Sequence, residues 1–260
     1  MTGLRVLITG AGSGIGRALA IEADRHGHRV ILVGRRAGPL TRTAEGMRDA
    51  WVLPADVTTP DGRASIARAV AETGLDILIN NAGVVPSGAA DASDDAQIAA
   101  TLALNIAAPI ALTRDLLGAL TASRGQVVNV GSVFGDIGFP YFSLYSASKF
   151  ALRGYSDALR RELAPRGIAV TYLAPRATRT DAAQGFARLI GPMAMTLDSP
   201  QIVAGHAWRA IAARKREQMP ASRERLFVAL QRLRPGLIDR ALIRLARDPA
   251  VIDAARDLSS

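Results

Sequence analysis

The sequence predicts a doubly wound α/β fold in a single domain, an open parallel sheet covered by helices on both faces and followed by a C-terminal helical extension. Three observations predict it. Short apolar, β-branched runs alternate with longer segments of helical periodicity. Each run is too continuously apolar for a sheet wetted on one side, as parallel strands buried on both faces require. The length of 260 residues, 49% of them hydrophobic, suffices for one large core, and no stretch reads as a linker between two domains.

The strand candidates are 4-LRVLIT-9, 29-RVILVG-34, 51-WVLPAD-56, 75-LDILIN-80, 126-QVVNVG-131 and 168-IAVTYLA-174. Helical patterns lie between them at about 15–27, 39–49, 60–73, 94–120 and 144–165. Pro60 stands at the start of its helix, where a missing N–H costs nothing, with Thr59 placed to cap it. The segment 164-APRG-167 stops the fifth helix before the sixth strand. Right-handed crossovers then leave a ligand crevice at the C-terminal strand ends. The stretch 175-PRATRTDAAQGFARLIGPMAMTLDSP-200 has no clean period, and a connection of this length reads as a binding loop, about 176–200. Ser199-Pro200 opens a helix at 200–214, and a short strand is expected near 216–221. Beyond it, 223-RERLFVALQRL-233 and 237-LIDRALIRLAR-247 set leucines and isoleucines at helical spacing with arginines opposite. The domain is therefore expected over 1–222 and the basic amphipathic extension over 223–260.

Composition narrows the function classes. Cysteine is absent, which excludes disulfides and thiolate metal sites, and His26, His28 and His206 show no ligand spacing, so no metal is expected. No basic, apolar leader precedes the first strand, and no apolar run approaches the roughly 20 residues of a membrane span; a cytoplasmic protein is the expectation. The formal net charge is +9, and residues 201–260, with 12 Lys/Arg against 6 Asp/Glu, carry +6 of it. Aromatic residues are only 5% of the chain, and residues 201–260 hold only Trp208 and Phe227, which is no stacking platform, so no nucleic acid is expected. A solvated basic face, or contact with an anionic membrane surface or an acidic ligand, remains.

The first strand ends in 9-TGAGSGIG-16 and runs straight into a helix. Gly10, Gly14 and Gly16 permit a tight turn, remove the Cβ atoms that would hold a pyrophosphate away, and let a helix N-terminus face the anion. This is the logic of Rossmann-like dinucleotide folds. There an acidic residue after the second strand typically holds the adenine ribose, but this chain has Arg35 and Arg36 in 33-VGRRAG-38. A guanidinium matches a 2′-phosphate in charge and fork geometry, which predicts NADP(H) in preference to NAD(H); two solvated surface arginines are the alternative.

The chain resembles the classical short-chain dehydrogenases/reductases. The likeness rests on 9-TGAGSGIG-16, 55-ADV-57, 80-NNAG-83, Asn105 in 104-LNIAAP-109, Ser132 in 129-NVGS-132 and 145-YSASK-149, in that order over roughly residues 4–180. It implies an oxidoreductase, which with the NADP(H) expected from Arg35 and Arg36 reads as a ketoreductase moving hydride reversibly between NADP(H) and a secondary alcohol or ketone. Thr9, Ser13 and Ile15 would lie in the pyrophosphate turn with the glycines, Asp56 would contact the adenine amine beside Val57, and Asn80, Asn81, Ala82 and Gly83 would follow the cofactor. Pro175 and Thr180 would flank the nicotinamide. Asn105, Ser132, Tyr145 and Lys149 would form the catalytic set: Tyr145 as general acid/base, Ser132 holding the substrate oxygen, Lys149 on the nicotinamide ribose, and Asn105 holding a relay water. A homodimer or homotetramer built on the fourth and fifth helices is also implied. The chain departs from the family at Arg176, where glycine usually follows Pro175, and at its end, where two basic helices replace the usual closing strand.

The residues themselves support the chemistry. Tyr145 and Lys149 are four apart on one helix face, and a nearby ammonium is expected to lower the phenol pKa from its ordinary value near 10. Lysine is rare here, one of two in a chain with thirty arginines, and its compact head suits a site where a wide guanidinium fork does not. Phe186, Leu189, Ile190, Met193, Met195 and Leu197 offer an apolar lining for a hydrophobic or bulky carbonyl substrate, or ordinary packing of the loop on its own body. The extension covers the substrate cleft, builds an oligomer interface, lies on a membrane surface as a peripheral contact, or only packs on the domain. A non-catalytic NADP(H)-binding redox sensor or scaffold protein is the rival, against which the complete catalytic set argues.

Overall fold

The structure, a computed structural model, describes residues 3–220 and 224–256. Seven strands, β1 (Arg5–Thr9), β2 (Arg29–Gly34), β3 (Ala50–Pro54), β4 (Ile77–Asn80), β5 (Gln126–Val130), β6 (Ala169–Leu173) and β7 (Glu217–Gln218), form one sheet. The order is β3-β2-β1-β4-β5-β6-β7, and every pairing is parallel. Chain order reverses between β1 and β4, so the loops leaving these two strands diverge and open a crevice.

The strands' period of two assigns their side chains to two cores. In β1, Val6 and Ile8 face α1 (Gly14–Arg25), α2 (Ala37–Ala44) and α9 (Pro200–Ala212), packing on Leu19, Leu40, Trp208 and Ile211. Leu7 points the other way, toward α3 (Pro60–Thr73), α5 (Ala108–Asp115), α6 (Leu117–Ser123) and α7 (Ser143–Leu163), joining Ile66, Leu112, Leu120 and Leu159. Each such fully buried leucine or isoleucine contributes about 1.5–3 kcal/mol.

Several ends are fixed as the sequence predicts. The Thr59 hydroxyl accepts from the Gly62 amide at 3.1 Å, the Ser199 hydroxyl accepts from the Ile202 amide at 3.3 Å, and Gly167, at φ +72°, ends the 3-10 turn Ala164–Arg166 that follows α7. The long fourth helix is a correction. It is α4 (Asp95–Leu102), a π-helical segment (Ala103–Ala107), α5 and α6 rather than one regular helix over 94–120. Pro109 has no N–H to donate to the carbonyl four residues back, Asn105, and the register widens there. The expectation that no stretch suits a membrane span also needs correcting, because helical Asp95–Asp115 is long and apolar enough by composition. In this fold it lies against the body through buried Thr101, Asn105, Leu112 and Thr113, and leaves Leu102 and Ile110 exposed.

The binding loop contains a 3-10 segment (Asp181–Phe186) and α8 (Ala187–Ile190). The extension comprises α10 (Glu224–Leu233), α11 (Pro235–Ala246) and α12 (Pro249–Arg256). The expected boundary at 222/223, residue 221 of the seventh-strand expectation and residues 257–260 lie outside the described residues. On α12, Val251 and Ala255 are buried against Leu189 and Met193 of the loop, so the extension packs on the loop.

Candidate active site

Glycine is required where the chain leaves β1. Gly14 has φ +53°, and a Cβ there would sit 2.9 Å from the Thr180 methyl; a Cβ on Gly16 would collide with the Gly10 carbonyl. Ser13 is the extended N-cap of α1, with no capping hydrogen bond from its side chain. The first amides of α1 consequently face a cavity of about 620 Å³, bounded here by Ser13, Gly14 and Ile15. Arg35 and Arg36, both exposed, stand on the same cavity at the end of β2. Asp56 and Val57 line it nearby. The Thr58 hydroxyl and amide donate to the Asp56 carboxylate at 2.7 and 2.9 Å. These bonds hold its pKa below the usual carboxylate range against the opposing effect of burial, with Arg35 assisting. A tight anion turn, a pair of arginines and an ionised carboxylate therefore surround one end of the cavity, and they fit a nicotinamide dinucleotide.

Asn81, Ala82 and Gly83 form another part of the wall, with Pro175 and Thr180 across the crevice. Thr9, Gly16 and Asn80 do not reach the wall; they brace it. The Thr9 hydroxyl accepts from the amides of Asn81 and Ala82, each at 3.0 Å, tying the two diverging loops together. Asn80 donates to Asn129 at 2.9 Å and to Thr113 at 3.2 Å, holding β4 to β5 and α5.

At the other end stand Ser132, Tyr145 and Lys149. The Lys149 ammonium lies 5.6 Å from the Tyr145 ring centroid and donates to the Val130 carbonyl at 3.0 Å. Burial lowers its pKa to about 8. Burial also pushes Tyr145 up to about 12, with the Ser132 hydroxyl pulling the other way. The shared helix face is as predicted, but the expected lowering of the phenol by lysine is corrected: burial raises the phenol, and Ser132 rather than Lys149 is the group that lowers it. Asn105, only 1% exposed, sits behind Gly83. Its side chain accepts from the Val84 amide at 2.9 Å and donates to the Val84 carbonyl and the Ser148 hydroxyl, both at 3.0 Å. Its main-chain carbonyl lacks the usual donor four residues on, because that residue is Pro109.

Residues that sequence reasoning passed over complete the site. Phe134 and Phe142 stack edge-on with each other, and Phe134 meets Tyr145 in the same manner. With Phe186 and Met195 they make this end of the cavity apolar. Tyr172 of β6 fills the space over Gly131 and Gly135, where a Cβ on either glycine would strike it. Its hydroxyl accepts from the Ser132 amide at 3.3 Å and lies 3.4 Å from the Lys149 carbonyl. Arg153 covers its ring at 5.0 Å and bonds Asp136 at 2.9 Å and Glu217 at 2.7 Å. Arg232 of α10 reaches the same Asp136 at 2.9 Å. Burial raises the Asp136 pKa, and the two arginines oppose that rise.

Arg176, the departure after Pro175, bonds Asp198 at 2.7 and 2.9 Å and Glu224 at 3.2 Å. It clamps the two ends of the binding loop, already joined by the Thr178–Asp198 bridge, to α10.

A sequence model of the short chain dehydrogenase family matches residues 5–188, and with this fold the chain belongs to that family, an oxidoreductase of the short-chain dehydrogenase/reductase type. It is 39% identical to oxidoreductase claN of Passalora fulva over 67% of this chain and 82% of that protein. A short-chain dehydrogenase of Sphingobium yanoikuyae in complex with NADPH superposes with a TM-score of 0.75 at 30% identity, covering 91% of this chain and 95% of that one. A 3-ketoacyl-(acyl-carrier-protein) reductase of Brucella melitensis complexed with NADH gives 0.75 at 26%, over 83% and 95%.

Proposed function

We propose that the protein is a ketoreductase that moves hydride reversibly between NADP(H) and a secondary alcohol or ketone whose substituents are hydrophobic. The carrying observation is that one cavity joins the anion turn and Arg35–Arg36 at one end to Ser132, Tyr145 and Lys149 at the other, with an aromatic wall beside them. NADP(H), when bound, would supply or accept the hydride. Everything else is work for the chain's own residues. The amides of α1 hold the pyrophosphate, Arg35 and Arg36 select the 2′-phosphate, and Asp56 accepts from the adenine amine. Pro175 and Thr180 flank the nicotinamide. Ser132 donates a hydrogen bond to the substrate oxygen, and the Tyr145 hydroxyl gives that oxygen its proton. Lys149 binds the nicotinamide ribose and returns a proton to Tyr145, resupplied through a water on the Asn105 carbonyl.

The NADPH-bound relative supports the cofactor choice, while the NADH-bound one leaves it resting on Arg35 and Arg36. Leu102, Ile110 and Phe150 are exposed on α4, α5 and α7, which supports pairing of subunits through these helices. A cytoplasmic location belongs to the same proposal. Tyr145→Phe is expected to lower turnover by about 10²–10⁴-fold, the range of a lost general acid, while NADPH binding stays intact. NADPH consumption over a panel of apolar ketones measures this. Near-normal turnover in Tyr145→Phe would overturn the mechanism, and no turnover of any carbonyl by the intact protein would favour a redox sensor or scaffold.

A further inference from the structure

Helix α10 has its polarity the wrong way round for a helix that only covers a domain, whereas α11 turns Ile238, Leu242 and Leu245 inward. The edge of α10 that meets the body is largely polar: Arg232 reaches Asp136 and Glu224 reaches Arg176, while Val228 is the one fully buried apolar residue of this helix. Its outward face is apolar. Leu226 and Leu233, seven residues apart and hence on one side of the helix, are 68% and 78% exposed. Phe227 beside them and Leu237 and Ile243 on α11 are exposed as well. Among the described residues these are five of the eleven large apolar side chains left in solvent, gathered on two short helices. Scattered exposed leucines need no account, but a cluster on one hairpin marks a contact surface.

Charge selects the occupant. Residues 224–247 hold six arginines and two carboxylates, a net charge of +4. Arg225, Arg234, Arg240, Arg244 and Arg247 are exposed and form no ion pair among the described residues. A second copy seated on this face by a twofold axis would set the same patch against itself, +4 against +4. An anionic phospholipid surface offers what both features need: an apolar layer for the leucines and phosphates for guanidinium groups carried on long stems.

We infer that the α10–α11 hairpin docks the protein on anionic membrane surfaces, with Leu226 and Leu233 entering the acyl boundary and the surrounding arginines meeting the headgroups. The docking does not depend on the carbonyl-reduction reading, since vesicle binding is measured without turnover. The test is flotation of the full chain with vesicles of phosphatidylglycerol and phosphatidylcholine, and with phosphatidylcholine alone. The protein is expected to float with the anionic vesicles, weakly with the neutral ones, and less at high salt. Leu226→Ser with Leu233→Ser is expected to weaken partitioning at least about tenfold, from the transfer value of two partly inserted leucines. Arg234→Gln with Arg244→Gln is expected to weaken it about 25-fold, at about fivefold per surface arginine. All four positions are exposed, so melting temperature and NADPH binding serve as controls and stay unchanged. Absence of flotation with anionic vesicles overturns the inference, as does flotation that neither pair of substitutions weakens. A drop in oligomeric mass in the leucine variant with vesicle binding intact would assign the face to a second copy and overturn it equally.

Discussion

The buried ammonium of Lys149 makes the pH dependence of the enzyme calculable. Lys149 is 5% exposed, its ammonium donates to the Val130 carbonyl, and burial brings its pKa to about 8. Tyr145, at about 12, keeps its proton throughout the working range. A lowered lysine pKa means that the cation is lost as pH rises through about 8. About 90% of the molecules carry the charge at pH 7 and about 10% at pH 9, so a step that needs the ammonium slows about tenfold between them. Steady-state kcat/KM for NADPH is the right measurement, because it reports ionisations of the free enzyme. It is expected to be level below pH 7 and to approach a tenfold fall per unit above pH 8. Lys149→Arg places a guanidinium there that does not ionise in this range, so its lower rate is expected to show no such fall. A wild-type profile that is flat to pH 9.5, or the same descending limb in Lys149→Arg, would refute the reasoning.

Two further outcomes follow from charge placement. Arg35→Ala removes a charge-assisted contact worth about 1.5–3 kcal/mol, so NADPH is expected to bind about 10–100-fold more weakly while NADH is unaffected, as read by fluorescence titration; equal weakening of both would remove the 2′-phosphate role. Asp136→Ala strips Arg153 of a buried partner and is expected to cost about 3 kcal/mol in denaturant unfolding. Arg232→Ala, whose side chain is 58% exposed, is expected to cost about 0–1 kcal/mol. Similar losses in the two variants would show that the network does not act through burial.

The sheet was legible because its signal is local and repeated: each strand is a continuous apolar run, and Thr59, Ser199 and Gly167 mark ends by chemistry confined to a few residues. The glycine turn and the Tyr145–Lys149 spacing were legible for the same reason. The π-helical turn at Asn105 had a local signal as well, Pro109 four residues on, but helical periodicity runs straight through it and conceals the change of register. What the sequence could not show is what depends on distant partners. Arg176 reads as an anomaly until Asp198 and Glu224 arrive from 22 and 48 residues away. The pKa order of Tyr145 and Lys149 likewise depends on how much water the fold removes, which spacing does not encode. The outward apolar face of α10 is invisible for a related reason, because an amphipathic period does not say which side meets the body.

The wedge made by Tyr172 bears on how this active site can change over time. One phenol oxygen touches the Ser132 amide and approaches the Lys149 carbonyl, and its ring occupies the space that side chains at 131 and 135 would take. The three positions therefore form a lock whose parts are not independently replaceable. A side chain gained at 131 is excluded while tyrosine remains at 172, and a smaller residue gained first at 172 opens a void beneath the turn after β5 that carries Ser132. Lineages leaving this arrangement must pass through a damaged intermediate or change two codons together. The trio is thus expected to persist or vanish as a block, even where residues of the cavity wall such as Met195 drift freely.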